Sequence, residues 1–337
     1  MKIALIGEAW GEFEEKMRTP FIGPTGGLLN KMLAQAGIRR ADCFVTNVFN
    51  LRPPGNKLAH LCGPKEEGII GYPSLIPSGY VNARYGRELL RLQGELEEVK
   101  PNVIVALGNT ASWAVLGKTS IMKIRGVIQP STKLVKGIKV MPTYHPAFIM
   151  RSMELIWYSI MDLRKARNES EYPEVRRPER HIWVEPTIED IYEFDRLYIH
   201  QSERLSVDIE TAGEAITCIG FAPSKGIALV VPFYDPREPG RNYWPDSASH
   251  RQAYNAIAAI LSRPTPAKTF QNGLYDISFL YRALRIKVRG ATHDTMLLHH
   301  ALQPESLKGL GFLGSVYTSE SLWKDMRKRK TTIKRED

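Results

Sequence analysis

A charged stretch interrupted by prolines lies near the middle of the chain, and it limits how the 337 residues can fold. Residues 164–182 open with Arg-Lys-Ala-Arg-Asn-Glu and continue with further arginines and prolines, so they supply little apolar surface for a core. The segments on either side are each long enough to bury a core of their own. We therefore predict two domains, residues 1–166 and 183–337, joined by a linker over residues 167–182.

Short apolar runs alternate with helical patterns in the first domain. Each run is typical of a buried strand that ends at glycine or proline. The runs are residues 2–6, 103–108 and 139–142. Apolar residues spaced three and four apart predict helices over residues 28–36 and 87–99. This alternation favours a three-layer α/β/α sandwich around a largely parallel sheet. Sites in such sheets form at the carboxyl ends of strands, where Glu8, Asn47 and His145 lie.

Four side chains of the first domain are candidates for a site that hydrolyses an N-glycosidic bond, a reaction that needs a base taken out of the stack. The Glu8 carboxylate could orient water, and Phe21 offers an aromatic face. The Asn47 amide can pair with both donor and acceptor on a pyrimidine edge, and His145 could stabilise developing negative charge. A purely structural interpretation stays open, in which Glu8 and Asn47 cap turns and Phe21 is a core residue.

Acidic residues dominate the candidates in the second domain. Asp208 and Glu210 alternate along a predicted strand and so share one face, and Asp276 lies near the start of a predicted helix. Carboxylates in such an arrangement hold the two divalent metals that hydrolyse phosphodiesters, with Asn272 and Tyr275 shaping the surrounding surface. Asp-x-Glu is equally typical of a solvated strand edge.

The strands predicted in the second domain are residues 205–210, 216–222 and 227–231, and the helix predicted there is residues 250–261.

The order of the motifs over residues 1–166 resembles family 4 uracil-DNA glycosylases. The matching motifs are Gly7-Glu8-Ala9-x-Gly11, Pro20-Phe21-x-Gly23, Thr46-Asn47-Val48, Arg52-Pro53-Pro54, Ala106-Leu107-Gly108, Arg125-Gly126 and His145-Pro146. The resemblance implies that Glu8 and Glu14 lie near the reaction centre. It also implies that Phe21 stacks on uracil, Asn47 recognises uracil and His145 stabilises its anion.

The chain departs from this family at several positions. Family members usually bind an iron-sulfur cluster through four cysteines, but no CxxC precedes Gly7, and Leu51 stands where a cysteine is expected before Arg-Pro-Pro. We therefore predict no iron-sulfur cluster. Trp10 replaces the usual proline, and its indole could block the pocket. Residues 62–99 are more similar to phage polymerase fusions than to compact glycosylases.

Residues 180–320 resemble the DEDD exonuclease domain of bacterial DNA polymerase I, a family A polymerase. Asp208-Ile209-Glu210-Thr211 matches its first motif, and Asn272-x-x-Tyr275-Asp276 matches its second. The resemblance implies a ribonuclease H-like (DnaQ-like) fold, with Asp208, Glu210 and Asp276 as ligands of Mg²⁺ or Mn²⁺ and Asp294 as a helix cap.

The third motif of that family, Tyr-x-x-x-Asp, does not follow Asp276 in this chain. It supplies a fourth carboxylate and the phenol that orients water. We therefore expect a domain that is incomplete at its C-terminus, with weak or absent exonuclease activity, because groups that act as a unit fail together.

Composition favours a nucleic-acid partner. Lys and Arg outnumber Asp and Glu by 46 to 36, and a net charge of +10 attracts a polyanion. Three scattered cysteines argue against a disulfide framework and against zinc-finger spacing. No apolar run is long enough for a membrane span, so we expect a cytoplasmic, non-secreted protein of a bacterial or phage-infected cell. The basic run from Lys324 to Lys334 is either a phosphate-binding strip or a solvated face.

Together these patterns predict a DNA replication or repair protein. It would join a module that binds or excises uracil to the proofreading 3′-5′ exonuclease module of a phage-type polymerase, with the polymerase part absent. The expected partner is DNA, as single strands, 3′ ends or uracil-containing sites, together with a polymerase domain or subunit. The alternatives are a non-catalytic DNA-binding or assembly module in which both sites are degenerate, and a hydrolase of small nucleotides.

Overall fold

The computed structural model describes residues 2–176, 178–238, 240 and 242–320, and it divides into two compact units. The first unit contains the described residues up to Arg176 and those from Gly311 onward. The second unit ends at Leu310. The basic run predicted as a phosphate-binding strip lies outside the described residues.

A five-stranded sheet forms the centre of the first unit. Its strand order is β2-β1-β5-β7-β6, and all neighbours are parallel except β6 and β7. A separate two-stranded ribbon pairs β3 with β4. The strands are β1 (Ile3–Ala9), β2 (Cys43–Phe49), β3 (Cys62–Gly63), β4 (Tyr80–Val81), β5 (Val103–Leu107), β6 (Gln129–Pro130) and β7 (Lys139–Thr143). The helices are α1 (Glu12–Met17), α2 (Pro24–Ala36), α3 (Gly86–Val99), α4 (Gly108–Leu116), α5 (Ile121–Ile124), α6 (Pro146–Ile149) and α7 (Ile156–Glu169).

Both faces of this sheet are covered by helices because its central strands are apolar on both sides. Ala4 and Ile6 of β1 pack in a core that includes residues of α3 and α4. Ile3 and Leu5 pack in a second core with residues of α2 and α7. The predicted three-layer α/β/α sandwich is therefore confirmed. β1 continues two residues beyond the end predicted at Gly7, because its pairing with β2 extends to Ala9. Glu8 consequently lies on the strand rather than in a turn.

The second unit is built on a mixed six-stranded sheet of order β13-β12-β9-β10-β11-β8. Strand β10 pairs antiparallel with both β9 and β11, and these three strands contain the strands predicted at residues 205–210, 216–222 and 227–231. The strands are β8 (His181–Trp183), β9 (Arg204–Ala212), β10 (Ala215–Ala222), β11 (Ile227–Pro232), β12 (Ala267–Phe270) and β13 (Ala291–Asp294). The helices are α8 (Ile188–Phe194), α9 (Ser247–Ser262), α10 (Gly273–Leu284) and α11 (Thr295–Leu302). Within the described ranges, no helix combines the length and apolar character needed to cross a membrane.

A last helix, α12 (Leu310–Tyr317), packs in the first unit. The Phe312 ring meets the Tyr158 ring edge-on at a centroid distance of 5.2 Å, and Val316 is buried in the same cluster. The Nζ of Lys165 donates to the carbonyl of Thr318 at 2.6 Å, near the C-terminal end of the helix. The boundaries predicted from sequence assign these residues to the second domain. Composition alone carries no signal that a helix returns to an earlier core.

Candidate active sites

Phe21 and Asn47 converge above Gly7 at the end of β1. Gly7 pairs with Asn47 across the sheet. A Cβ atom placed on Gly7 would lie 2.2 Å from Oδ1 of Asn47 and 2.4 Å from Cζ of Phe21. The glycine therefore leaves the space that both side chains use, and a larger residue would displace them. Two residues that are 26 positions apart in the chain are brought together at this point.

The backbone around Phe21 has an unusual conformation that several contacts stabilise. Phe21 has a φ of 55°, in the left-handed region that bulky residues rarely adopt. Arg40 donates to the carbonyl oxygens of Phe21 and Pro20, at 3.1 and 2.8 Å. Gly26 allows the close approach, because a Cβ there would lie 1.9 Å from the Phe21 carbonyl oxygen. The Phe21 ring is buried in the core as well as facing Gly7, so the structural interpretation of this residue holds beside the functional one.

His145 faces the same region as a neutral hydrogen-bond donor. Its ring centroid lies 5.8 Å from that of Phe21. Its Nδ1 accepts from the backbone N–H of Ala147 at 3.2 Å, which leaves the proton on Nε2 in the neutral ring. Burial, assisted by the positive charge of Arg151, lowers the pKa of His145 to about 4. His145 is therefore neutral at physiological pH, and its Nε2–H is available to an anion.

The two glutamates of the site have different environments. Oε2 of Glu8 accepts from Thr110 Oγ1 at 2.8 Å, and burial raises the pKa of Glu8 against the opposing effects of Thr110 and Arg151. Glu14 is buried and accepts from the backbone N–H groups of Ile22 and Gly23, at 3.2 and 3.1 Å. Glu14 thus stabilises the loop that follows Phe21. Glu8 is the carboxylate that can take part in chemistry.

Sequence reasoning missed Arg151, whose charge acts on both Glu8 and His145. The signal was weak, since Arg151 lies six residues after His145 in a turn without a recognisable spacing. Thr110, which bonds Glu8 from α4, was missed for a similar reason. Both residues act through tertiary contacts that no local pattern encodes.

In the second unit, β9 exposes Asp208 and Glu210 on one face, in alternation with buried Val207 and Ile209. Asp276 reaches this strand from the first turn of α10, and its Oδ1 accepts from the backbone N–H of Ile209 at 3.2 Å. Burial, followed by the negative charge of Asp208, raises the pKa of Asp276 to about 6. The structure therefore places Asp276 against the segment that carries the other two carboxylates.

The turn before α10 is held by Asp294. Asn272 has a φ of 60°, and its N–H and that of Gly273 donate to Asp294 at 3.2 and 2.7 Å. Asp294 also accepts from Met296 N–H at 2.8 Å, so the predicted cap of α11 is confirmed. The Tyr275 hydroxyl lies 2.9 Å from Thr211 Oγ1, next to Glu210 in the chain. These contacts bring the predicted residues of both exonuclease motifs to one strand end.

The carboxylates of Asp208, Glu210 and Asp276 are suitable ligands for a divalent cation, but they do not form a complete metal site in this arrangement. Their donors are all oxygens, which Mg²⁺ and Mn²⁺ prefer, and the repulsion between Asp208 and Asp276 is one that a bound cation would relieve. In the part of the chain that the structure describes, no three His, Cys, Asp or Glu side chains lie close enough to hold a metal ion. Side-chain adjustment would be needed to complete a site.

Comparison with known proteins identifies the first unit. Residues 1–168 match the family model of the uracil DNA glycosylase superfamily. A type-4 uracil-DNA glycosylase of Thermotoga maritima is 37% identical over 171 residues, which cover 50% of this chain and 77% of that protein. The chain belongs to the type-4 uracil-DNA glycosylase family. A second type-4 glycosylase, from Archaeoglobus fulgidus, is 33% identical over 159 residues, covering 46% of this chain and 69% of its own.

The second unit of this type-4 family member is an exonuclease module. Residues 190–335 match the family model for 3′-5′ exonucleases. The DNA polymerase of Bacillus phage SP01 is 21% identical over 334 residues, which cover 88% of this chain and 32% of that polymerase. The chain thus joins a glycosylase module to an exonuclease module of the kind associated with family A polymerases, and both modules are related to DNA replication and repair.

The three cysteines of this type-4 family member lie on separate strands: Cys43 begins β2, Cys62 begins β3 and Cys218 lies on β10. Leu51, where the resemblance predicts a cluster cysteine, packs its side chain on an apolar core. Cys43 is a buried residue of β2, and burial raises the pKa of its thiol to about 11. Trp10, which replaces the usual proline, is partly buried, and its backbone N–H donates to the Leu51 carbonyl at 3.2 Å.

Proposed function

We propose that the first unit excises uracil from DNA, with single-stranded DNA as the preferred substrate. The observation that carries this proposal is the convergence of Phe21 and Asn47 above Gly7, with neutral His145 beside them. The membership of the chain in the type-4 family supports it further. An extruded uracil needs an aromatic face, a group that reads its edge and a donor to its developing anion, and these three side chains supply them.

Each residue has a role in the hydrolysis. Uracil stacks on Phe21, and the Asn47 amide accepts from N3–H of the base and donates to O4. As the bond between C1′ and N1 breaks, its electron pair passes to the base, and the Nε2–H of His145 donates to O2, where negative charge accumulates. The Glu8 carboxylate orients the water molecule that adds to C1′, accepts the proton that this water releases, and opposes the positive charge on the sugar.

The rate of uracil release should decrease when the pH is lowered through the pKa of Glu8. Burial raises the pKa of Glu8 above its ordinary value of 4.5, whereas His145 stays neutral down to about pH 4. As the pH decreases, the Glu8 carboxylate therefore protonates first and removes the water-orienting charge. Single-turnover rates measured between about pH 4 and pH 9 would show one acid limb, which Glu8→Gln abolishes along with most of the rate.

An acid limb that persists in the Glu8→Gln variant would contradict this assignment. The titrating group would then be another residue of the site, such as His145. Glu171→Gln, a substitution at an exposed carboxylate of the same unit, serves as the matched control and should leave the profile unchanged.

We infer that the second unit binds DNA 3′ ends and a divalent metal through Asp208, Glu210 and Asp276, and that hydrolysis there is slow. The position of Asp276 against Ile209 supports the shared site. When bound, Mg²⁺ or Mn²⁺ would activate water and stabilise the leaving oxygen. Within residues 277–337 no Tyr-x-x-x-Asp occurs, so these residues do not themselves supply the further carboxylate and the phenol that orients water. We also propose a polymerase domain or subunit as the partner of this module.

Shortening of single-stranded DNA by this unit should be slow and dependent on Mg²⁺. Asp208→Ala should abolish it and weaken Mn²⁺ binding measured by titration calorimetry, because one oxygen ligand is lost. Glu238→Gln, a change at an exposed carboxylate elsewhere in the unit, is the control. An absence of Mn²⁺ binding would contradict the ligand assignment. Rapid digestion that Asp208→Ala abolishes would show that another group replaces the missing motif.

A non-catalytic DNA-binding module is the second candidate function. Two observations favour it: the third exonuclease motif does not follow Asp276, and Trp10 stands in the first glycosylase motif. One gel separates the two candidates. Uracil-containing and undamaged single strands are incubated with Mg²⁺ or EDTA and scored for abasic sites and for shortening. Tight binding of uracil-containing DNA with neither product would favour the non-catalytic function.

A further inference from the structure

Arg91, on α3, contacts the strand end that carries Asn47. Its Nη2 donates to the carbonyl oxygens of Asn47 and Val48, at 2.8 and 3.0 Å. The side chain is 26% exposed, so most of it lies against the protein. Among the described strands, β2 lies at the edge of its sheet, where the backbone groups on its outer side have no neighbouring strand to pair with. Arg91 supplies donors to two of these carbonyls.

Two glutamates of α3 orient the Arg91 guanidinium. Its Nε donates to Glu88 Oε2 at 3.1 Å, and its Nη1 donates to Glu95 Oε1 at 2.7 Å. Each of these glutamates also contacts the β2 segment. Glu95 Oε2 accepts from Thr46 Oγ1 at 2.9 Å, and Glu88 Oε2 accepts from Asn50 N–H at 3.0 Å. The planar guanidinium can satisfy this many acceptors at once, which a lysine cannot do.

The resulting network fixes residues on both sides of Asn47. Thr46 precedes it, Val48 and Asn50 follow it, and each is bonded to α3. The network ends immediately before Leu51, whose side chain packs on an apolar core. The direction of the Asn47 side chain over Gly7 is therefore set by backbone atoms that α3 restrains.

We propose that Arg91 is a positioning residue for uracil recognition. It holds the backbone of Asn47 so that the side-chain amide meets the edge of the base. The functional half of this statement rests on the proposed glycosylase activity. The structural half, which is restraint of residues 46–50, stands on the contacts of this chain alone.

A double-mutant cycle tests the functional half. Arg91→Gln should lower kcat/KM for uracil release about tenfold in the unmodified chain, but less than about twofold when Asn47 is already alanine. Arg91→Lys keeps the positive charge but loses the planar guanidinium, so its kcat/KM should lie between those of the unmodified chain and Arg91→Gln. It is the variant to use if Arg91→Gln fails to fold. Arg87→Gln changes an exposed arginine of the same helix and should leave the rate unchanged. Equal losses in both backgrounds would overturn the proposal, because Arg91 would then act independently of Asn47.

Amide hydrogen exchange tests the structural half without any need for activity. The Arg91 variants should speed exchange in residues 46–50 while the central strand β5 keeps its protection. Unchanged exchange in this segment would overturn the proposal, whatever the chain does to DNA. If local exchange rises but the unmodified chain releases no uracil, the proposed function fails and the restraint by Arg91 remains.

Discussion

Replacing Asn47 by alanine should lower the rate of uracil release by about 10²- to 10³-fold, the loss typical of removing one preorganised hydrogen-bonding group from a reaction site. Asn47 is only 2% exposed, and its Oδ1 occupies the space that Gly7 leaves open. The alanine variant loses the contacts to N3–H and O4 of the base, and no neighbouring side chain can replace them at that strand position. A site that hydrogen-bonds polar atoms of a base discriminates strongly against bases with a different pattern, because each buried polar group left without a partner costs binding free energy.

The measurement is single-turnover release of uracil from a single strand that contains one uracil. Asn168→Ala changes an exposed asparagine of α7 and should leave the rate unchanged. Thermal unfolding of both variants shows whether the first unit stays folded. Retention of the full rate by the Asn47 variant would end the proposed reading of the uracil edge, and the site would then have to recognise the base by stacking alone.

The sequence predicts the strand framework of the first site because that framework depends on local patterns. Buried runs that end at glycine locate the strand ends, and Glu8, Asn47 and His145 follow from the rule that sites form there. The conformation of Phe21 could not be predicted in this way. Its left-handed backbone depends on Arg40 and on the space at Gly26, and these contacts exist only after the chain has folded.

The second site shows the same division between local pattern and tertiary contact. Period-two alternation predicts correctly that Asp208 and Glu210 share a face of one strand. The bond from Ile209 N–H to Asp276, 67 residues later, needs the packing of α10 against β9 and so lies beyond any local pattern. Phe279 also depends on this packing: its side chain is buried in the core of the unit, and its ring centroid lies 5.9 Å from that of Tyr275.

The packing of α12 was also beyond sequence reasoning, and it depends on a buried ion pair. Arg125 and Asp162 are 1% and 0% exposed, and Nε of Arg125 donates to Asp162 Oδ2 at 2.9 Å. Thr143 Oγ1 donates to the same carboxylate at 2.7 Å, and Nη1 of Arg125 donates to Ser315 Oγ of α12 at 3.3 Å. The Arg125-Gly126 motif, recognisable from sequence, thus joins the sheet, α7 and α12 through contacts that span 190 positions.

Replacing Asp162 by alanine should therefore lower the free energy of unfolding of the first unit by about 3–5 kcal/mol, because it leaves the Arg125 charge buried without a partner. Urea unfolding, monitored through hydrogen exchange of amides in β5 and β7, measures this loss. Both strands belong to the first unit, so the unfolding of the second unit does not contribute. Ser315→Ala removes the bond from Arg125 to α12, together with the bond from Ser315 Oγ to the Phe312 carbonyl, and leaves the buried ion pair intact, so it should cost about 1 kcal/mol. The double substitution Arg125→Met with Asp162→Leu removes both charges and should regain much of the lost stability. Apolar side chains of similar size fill the buried space without the cost of desolvating a charge. If Asp162→Ala costs no more than Ser315→Ala, the pair contributes little, and the packing of α12 must rest on Phe312, Val316 and the bonds from Lys165 instead.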